Sequence, residues 1–371
     1  LPADCVVIGC SHTHGGPSIM PTNAFKPRDD EYLDLLLLKL VEGAKEAVGA
    51  ACPVTFRSSV GTAHCGYQRR VCWDDGTHTM HQRGQDQSRM FTGMEGADED
   101  GQLVLWEFVD GEDQTVALMY NCNLHATSGY GGDLFSAGFP GRVREYLREP
   151  LGHLPVLFFN GAQGDIAMSN CSSRSNRNAH ALSRTSHIIA GEILRLLHEH
   201  NEGTDPEVLI HERSLLPVAL QQPAPERVAQ AQRDMESELD AWRRSGEAEL
   251  PLRVSMTSFM NFGVAKLAEY CQGRTEEELV LHAFVIGDAA VATLPGEFYV
   301  HFGWNIRRRS PFGKTAVFGL CDGYCGYVPT MEGRLTGGYS GEPLYWCRLE
   351  ANAGYLVVDE ASAMLHRAAR V

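Results

Sequence analysis

Apolar strand patterns alternate with amphipathic helix patterns along most of the chain, and this alternation constrains the fold more than any other feature. The run LPVLFFNGAQGD at 154–165 is almost continuously apolar and ends in a glycine turn, as is typical of a buried strand. Helix patterns precede and follow this run, and elsewhere two strand patterns follow each other directly. This order predicts an α/β fold of mixed α+β layers rather than an all-β barrel.

The spacing of apolar residues predicts the individual elements. Strands are expected at 1–9, 53–61, 102–110, 114–124, 154–165, at 278–298 as two strands around Gly287 and Asp288, and at 315–330 as one strand that runs into a loop. Helices are expected at 29–50, from near Pro140 to 152, at about 178–200, at 220–246 and near 358–369. Asp29 or Asp30 is expected to cap the first helix, whose leucines are spaced for a face in the core. The interval 62–100 is rich in Gly, His, Arg and Asp, and is expected to be a long active-site loop or flexible surface.

The length and the charge of the chain limit its class and its partners. With 371 residues it can bury a large core, and we expect a single domain over 1–371. Acidic residues outnumber basic residues by 47 to 32 and no basic run is interleaved with aromatics, so nucleic acid is not expected as a partner. The apolar run LLLL at 35–38 lies within a charged amphipathic pattern, so we expect a soluble protein without an integral membrane segment. Formation of a homo-oligomer stays open.

The cysteines and the first residue bear on the compartment. Eleven cysteines without a regular framework favour reduced thiols in a cytoplasmic protein. The chain opens with Leu1, almost inside a motif, so we expect that residues upstream of it are missing or were removed. Secretion therefore stays open as the alternative.

Metal-capable side chains follow several of the predicted strands. In SHTHGGP at 11–17, His12 and His14 are alternate residues of an extended segment and can point into one pocket. His125 lies in NCNLHATSG, Glu297 in LPGEF and Tyr327 in DGYCGYV. Each residue alone also fits an ordinary role, as a core histidine, a carboxylate at a helix start or a half-buried aromatic. A metal site is the first hypothesis, and the residues by themselves leave both interpretations open.

Five short segments, in order along the chain, resemble motifs of the neutral ceramidase family of zinc amidases. They are SHTHGGP, CNLHATS, GDIAMSN, PGEF and YVPTMEGRLTGGY. The family counterparts are T/S-H-T-H-S-G-P, F-A-x-H-P/A-T-S, G-D-V/I-S-P-N, P-G-E-F, and Y-V/I-T-T with a second tyrosine. Tyr339 follows Tyr327 by twelve residues, as in the tyrosine pair of the family. The resemblance spans residue 5 to about 345 and implies a ceramidase-like catalytic domain.

The resemblance implies four zinc ligands, namely His12, His125, Glu297 and Tyr327. Zinc lowers the pKa of a bound water toward ~7, which supplies hydroxide as the nucleophile at neutral pH. His14 takes the family role of proton donor and acceptor, and Tyr339 that of a donor to the oxyanion. Arg69, in GYQRR, takes the place of the family arginine, with Arg70 as the alternative.

The chain departs from the family pattern in two respects. Ala167 and Met168 replace a serine and a proline, so no nucleophilic role is available at position 167. The ceramidases also carry a longer N-terminal region and a C-terminal β-sandwich domain. Without that domain, and without an evident docking helix, ceramide drawn from a bilayer is not the expected substrate.

The resulting expectation is a zinc-dependent hydrolase that cleaves an amide bond in a small soluble N-acyl compound. The same site also fits an ester or carbamate hydrolase, or an enzyme that condenses an acid with an amine, because these reactions share the tetrahedral intermediate. A non-catalytic zinc-stabilised binding protein is the alternative from another class. His14 and Tyr339 favour an enzyme, since neither is needed merely to hold a metal.

Overall fold

The computed structural model describes residues 2–21, 28–80, 88–96, 101–127, 135–170, 178–199, 209–246 and 254–370. A short 3-10 helix at Ala3–Cys5 is followed by helices α1 (Asp30–Gly49), α2 (Gly138–Leu151), α3 (Asn178–Leu197), α4 (Pro225–Ser245), α5 (Met256–Tyr270), α6 (Val300–Arg309), α7 (Met331–Leu335) and α8 (Ala353–Ala368). The strands are β1 (Thr55–Thr62), β2 (Tyr67–Gln68), β3 (Arg70–Trp73), β4 (His78–Met80), β5 (Phe91–Met94), β6 (Gln102–Val109), β7 (Thr115–Cys122), β8 (Val156–Asn160), β9 (Ile166–Ala167), β10 (Leu209–Ala219), β11 (Glu276–Ile286), β12 (Ala289–Leu294), β13 (Glu297–Phe298), β14 (Lys314–Gly319) and β15 (Tyr327–Val328).

Two four-stranded mixed sheets form the frame of the molecule. The first has the order β1-β6-β7-β8, with β8 parallel to β7 and the other pairs antiparallel. The second has the order β10-β11-β12-β14, with β14 parallel to β12 and the other pairs antiparallel. In both sheets an antiparallel hairpin is thus extended by one parallel strand, and a helix provides the crossover before that strand.

The alternation of side chains along the strands explains how the sheets stack. On β6, Leu103 and Leu105 pack with residues of α2 and α3, whereas Val104 and Trp106 face the second sheet. The inner face of the second sheet contributes Val291 and its neighbours to the same layer. Its other face packs against α6 and α8. The expected α/β fold of mixed layers is confirmed, with the layers in the order helices, sheet, sheet, helices.

The first segment of the chain differs from the sequence prediction. A strand was expected at 1–9, but the described residues from Pro2 form the 3-10 helix and then a single bridge between Gly9 and Cys321. The Ile8 amide donates instead to the Asp322 side chain, at 2.8 Å. The prediction was wrong because this segment lies against the residues just after β14, with which its described part forms one bridge and not a ladder. Leu1 lies outside the described residues.

The structure confirms the predicted bounds of the first long helix, but the prediction of its packing was wrong. The side chain of Asp29 accepts a hydrogen bond from the Tyr32 amide, so Asp29 is the N-cap. No residue of α1 is buried, and Leu37 and Val48 are 64% and 69% exposed. Leucines at helical spacing predicted a core face, but the two sheets are already covered by other helices. No described helix is both long and apolar enough to cross a membrane.

The interval 62–100 is not simply a long loop. Strands β3, β4 and β5 form a three-stranded antiparallel sheet, in which Val71, Trp73 and Met80 are buried. Each of these strands has only three or four residues, which is too short for a period of two to stand out in the sequence. Residues 81–87 and 97–100 of that interval, and residue 200 at the end of the third predicted helix, lie outside the described residues. The sequence analysis also missed β10, α5 and α6.

Candidate active site

The His-x-His segment is held in an unusual backbone conformation. His12 has φ 60°, a left-handed value that is uncommon for a residue with a Cβ. The Thr13 hydroxyl donates to the Ser136 carbonyl at 2.7 Å, and the His14 amide donates to the Ala126 carbonyl at 3.3 Å. The surrounding chain therefore fixes this turn and places the His12 imidazole beside the end of β7, which His125 follows. Backbone strain of this kind is concentrated at functional sites.

His125 lies just beyond the end of β7 and is fully buried. It forms a parallel bridge with Ala167, and its Nδ1 lies 3.4 Å from the Gln163 carbonyl. A contact from Nδ1 to a carbonyl oxygen favours the tautomer with the proton on Nδ1. The Nε2 atom, which lies 3.0 Å from that of His12, then carries no proton and can act as a ligand.

Glu297 and Tyr327 are direct partners in a two-stranded parallel sheet. β13 and β15 pair with these two residues opposite each other, and the Glu297 amide donates to the Gly326 carbonyl at 2.9 Å. A Cβ at Gly164 would lie 2.3 Å from the Glu297 carbonyl oxygen, so only glycine allows the GD turn to approach this strand so closely. The backbone thus brings GDIAMSN, PGEF and the tyrosine segment to one place.

Three imidazoles and one carboxylate converge at this place. The Nε2 atom of His12 lies 3.0 Å from that of His125, 3.4 Å from that of His14 and 3.3 Å from Oε2 of Glu297. The distance from His125 Nε2 to Glu297 Oε2 is 3.7 Å. Ligands in a tetrahedral zinc site with bonds of 2.0–2.1 Å lie about 3.3 Å from one another. The separations observed here match that spacing.

The chemistry of the donors fits a metal as well. Among the described residues, His12, His14 and His125 form a cluster whose nitrogen atoms lie within 4.8 Å of one another. Oε2 of Glu297 is buried and receives no hydrogen bond of good geometry from a described residue. Imidazoles together with a carboxylate suit zinc. The sequence analysis assigned His14 to proton transfer and not to the ligand set. In the structure, its Nε2 atom lies as close to that of His12 as another zinc ligand would lie.

The electrostatics of the site act on two groups in opposite ways. Burial by itself raises the pKa of Glu297, but His12, Arg69 and a hydrogen bond from Tyr324 outweigh burial and lower this pKa to about 2. Loss of hydration lowers the pKa of His14 to about 4, with a further contribution from His12. Glu297 is therefore a carboxylate, and His14 a neutral imidazole, at neutral pH.

Of the two neighbouring arginines, Arg69 is the one that reaches the site. Its Nη2 donates to the Tyr327 hydroxyl at 3.1 Å and to the Gly164 carbonyl at 2.6 Å. The Tyr339 ring packs edge to face on the Tyr327 ring, with centroids 5.7 Å apart. Arg70 instead points toward Glu95. The structure thus brings together every predicted site residue, with Arg69 behind Tyr327 and Tyr339 beside it.

Sequence reasoning missed two residues that orient the site. The Tyr324 hydroxyl donates to Oε1 of Glu297 at 2.8 Å. The Asp165 carboxylate accepts hydrogen bonds from the Val300 amide at 2.7 Å and from Gln68 Nε2 at 2.8 Å. Tyr324 lies three residues before Tyr327 and Asp165 lies in GDIAMSN, so both stood inside the quoted segments without a signal for their role.

The side of the site where the family has its serine is apolar. Ala167 and Met168 are 1% and 0% exposed, and Ala167 pairs with Tyr67 as well as with His125. The Met168 carbonyl accepts a hydrogen bond from Arg184 at 2.7 Å, which fixes the backbone here. Neither side chain offers a hydrogen bond to a bound molecule.

Comparisons with known proteins add the class of fold. No protein-family model and no curated protein matches the chain. The neutral ceramidase from Pseudomonas aeruginosa has a similar structure, with a TM-score of 0.67 at 14% sequence identity over 99% of this chain and 61% of that chain. A ceramidase complexed with C2 has a TM-score of 0.67 at 15% identity, over 99% of this chain and 62% of that chain. The fold is therefore ceramidase-like, and the chain spans about three fifths of the length of these two proteins.

Proposed function

We propose that this protein is a zinc-dependent hydrolase that cleaves an amide bond in a small N-acyl compound. The observation that carries the proposal is the convergence of His12, His125 and Glu297, with separations suited to tetrahedral zinc, on a ceramidase-like fold. Tyr327 completes the proposed ligand set because it lies opposite Glu297 in the parallel pair. When bound, zinc lowers the pKa of its water and polarises a carbonyl group.

Proton transfer is assigned to His14. Its imidazole is neutral at neutral pH and lies at the edge of the ligand cluster, where it keeps an exposed side. A neutral imidazole can accept a proton from the attacking water and return it to the leaving amine. One imidazole can perform both proton transfers if it stays within hydrogen-bond reach of the reacting atoms.

Stabilisation of the negative charge that develops in the reaction is assigned to Tyr339 and Arg69. Tyr339 lies beside Tyr327, and its hydroxyl is the donor that we place on the developing oxyanion. The Arg69 guanidinium is fully buried and donates to Tyr327, so its charge favours negative charge on that phenol oxygen. Burial raises the pKa of Tyr327 well above its usual range while Arg69 opposes the rise.

The substrate is proposed to be compact and to find no hydrogen-bonding side chain at position 167. Ala167 and Met168 offer no hydrogen bond on the side where the ceramidase family has a serine. An ester or carbamate would react through the same tetrahedral intermediate, and so would the reverse condensation of an acid with an amine. We propose a soluble N-acyl compound as the substrate. The ester, carbamate and condensation reactions are the other outcomes that the same assay can detect.

Metal analysis combined with a substrate panel tests the proposal. The purified protein is expected to hold about one zinc per chain and to release an acid and an amine from members of a panel of N-acyl compounds, followed by mass spectrometry. His125→Ala should lose the zinc and lower Tm, because a ligand bound to the folded state stabilises it. His153→Ala, at an exposed histidine outside the cluster, is the control.

Two results would contradict the proposal. A metal-free wild type with full activity would exclude the metal. A zinc-loaded protein that turns over no amide, ester or carbamate, and makes no amide from an acid and an amine, would favour the zinc-stabilised binding protein.

A further inference from the structure

The segment that carries Tyr339 contains two consecutive glycines in left-handed conformations. Gly337 and Gly338 follow the short helix α7 and have φ of 76° and 79°. Such residues lose much conformational freedom on folding, so a loop built on them needs contacts that hold it. Tyr339, the next residue, takes its position from this loop.

Arg70 supplies those contacts. It is 0% exposed, and its Nη1 donates to the Gly337 carbonyl at 2.8 Å. Its Nη2 donates to the Thr336 hydroxyl at 2.7 Å and to the Gly333 carbonyl at 3.2 Å. One guanidinium thus holds three successive points of the segment that leads to Tyr339.

Glu95 and His78 hold the guanidinium in turn. The Nε of Arg70 donates to Glu95 Oε2 at 3.0 Å, and His78 Nδ1 lies 2.6 Å from the same oxygen. The Glu95 amide donates to the Arg70 carbonyl, and the His78 amide donates to the Thr336 carbonyl at 3.2 Å. These residues lie on or beside strands β3, β4 and β5, so a small rigid sheet is joined to the loop.

We propose that Arg70 is a positioning residue for the reaction, which holds the segment at 333–339 so that Tyr339 meets the reacting carbonyl. The proposal rests on the proposed function for the role of Tyr339, whereas the contacts themselves do not depend on it. A lysine at position 70 could not replace this arrangement, because a single ammonium group lacks the planar fork that reaches the Gly337 carbonyl, the Thr336 hydroxyl and Glu95 together.

The test compares Arg70→Lys with the wild type in zinc content, kinetics and amide hydrogen exchange. We expect zinc to be retained, KM to stay within a few-fold, and kcat to fall by about tenfold to a hundredfold, since small misplacements of a catalytic group cost rates of this size. The amides of Gly341 and Glu342, which donate to the Gly338 carbonyl, should exchange faster. Arg227→Lys, at a half-buried arginine that donates to Asn261, is the matched control and should change none of these.

Thr336→Val is the milder variant for the case in which Arg70→Lys does not fold. It removes one acceptor of the guanidinium and should lower kcat in the same direction with zinc retained. The proposal is overturned if both exchange and kcat are unchanged in a folded variant, or if the loss is confined to KM or to zinc. If the wild type itself turns over no substrate, the proposed function fails, and the exchange of Gly341 and Glu342 still decides whether Arg70 holds the loop.

Discussion

At the scale of residues, a single carboxylate connects the three clustered imidazoles to the rest of the fold. Oε1 of Glu297 accepts a hydrogen bond from Tyr324, and Oε2 faces the imidazoles of His12 and His125. One oxygen is therefore fixed by the protein, and the other is available to the proposed zinc. Partners of this kind orient a ligand and tune its basicity.

Removal of the Tyr324 hydroxyl should weaken zinc binding. In Tyr324→Phe, Oε1 of Glu297 is buried without its donor, so the carboxylate loses both orientation and a stabilising hydrogen bond. We expect zinc affinity to fall by about 10- to 100-fold, as measured by competition with a chelator. Tyr146→Phe, at a hydroxyl that contacts Ser183 on the helical side, is the control. Equal affinity in the two variants would show that Tyr324 does not orient Glu297.

His14 and Tyr339 should be needed for turnover and not for metal binding. His14→Phe and Tyr339→Phe are each expected to retain zinc and to lower kcat by ~10²-fold or more, the range for loss of a proton-transfer group or an oxyanion donor. Elemental analysis and steady-state kinetics on the same preparations measure both. Because His14 Nε2 lies 3.4 Å from that of His12, loss of zinc in His14→Phe would make His14 a ligand instead.

Strand ends and turns, rather than whole strands, build the site at the scale of elements. His125 follows β7, the pair of β13 and β15 places Glu297 against Tyr327, and the GD turn lies against that pair. Asp165 in this turn accepts a hydrogen bond from the Val300 amide at the start of α6. A buried carboxylate thus joins the turn to the helix that directly follows β13.

The same carboxylate should make stability depend on pH. Burial raises the pKa of Asp165 to about 6, with hydrogen bonds from Gln68 and Val300 acting in the opposite direction. The folded state therefore binds this proton more tightly than the unfolded state, whose pKa is close to 3.8. The stability from the protonated form is fully present below the unfolded pKa, and it is lost as pH rises through about 6.

Asp165→Asn provides the measurement. The free energy of unfolding of the wild type minus that of the variant should fall between about pH 4 and pH 6, by about 3 kcal/mol, because the asparagine does not titrate. Taking the difference at each pH removes contributions from other groups. Gln222→Ala, at an exposed residue that does not titrate, should show a flat difference. A flat difference for Asp165→Asn as well would mean that its pKa is not raised.

At the scale of the whole molecule, the site lies where the ends of β7 and β12, one strand from each large sheet, come together. The pair of Ala167 and Met168 is buried between the GD turn and the strand of Tyr67. Loss of one hydrogen bond to a substrate, such as a serine at position 167 would supply, changes its binding by ~1 to 3 kcal/mol. Selectivity of roughly ten- to a hundredfold follows from a difference of this size.

Substrate choice should therefore separate this protein from its structural neighbours. We expect kcat/KM on a fluorogenic long-chain ceramide to be lower than on short soluble N-acyl compounds. Ala167→Ser should shift this preference without being required for turnover, because the proposed nucleophile is hydroxide and not a side chain. Efficient ceramide cleavage by the wild type, or a strict requirement for the serine, would show that the residue at position 167 does not set the preference.

The sequence by itself determined the layers and the residue types of the site. Apolar strands that run into glycine turns are local patterns, so β6, β7, β8 and the hairpin of β11 and β12 were predictable from the period of the side chains. The residues that follow such strands were predictable as candidates because strand ends meet at a cleft. These features depend on residues that are close together in the chain, so they can be predicted from the sequence alone.

Only the tertiary structure decided which candidates face each other. Arg69 and Arg70 are adjacent and chemically identical, yet one donates to Tyr327 and the other to Glu95, because successive side chains of an extended segment point in opposite directions. Which direction leads to the site depends on the pairing of β2 with β9 and of β3 with β4 and β5. Likewise, the leucines of α1 have the spacing of a core face and no face of the core left to cover. Register and coverage are set by contacts between distant segments, and for that reason the spacing of residues could not reveal them.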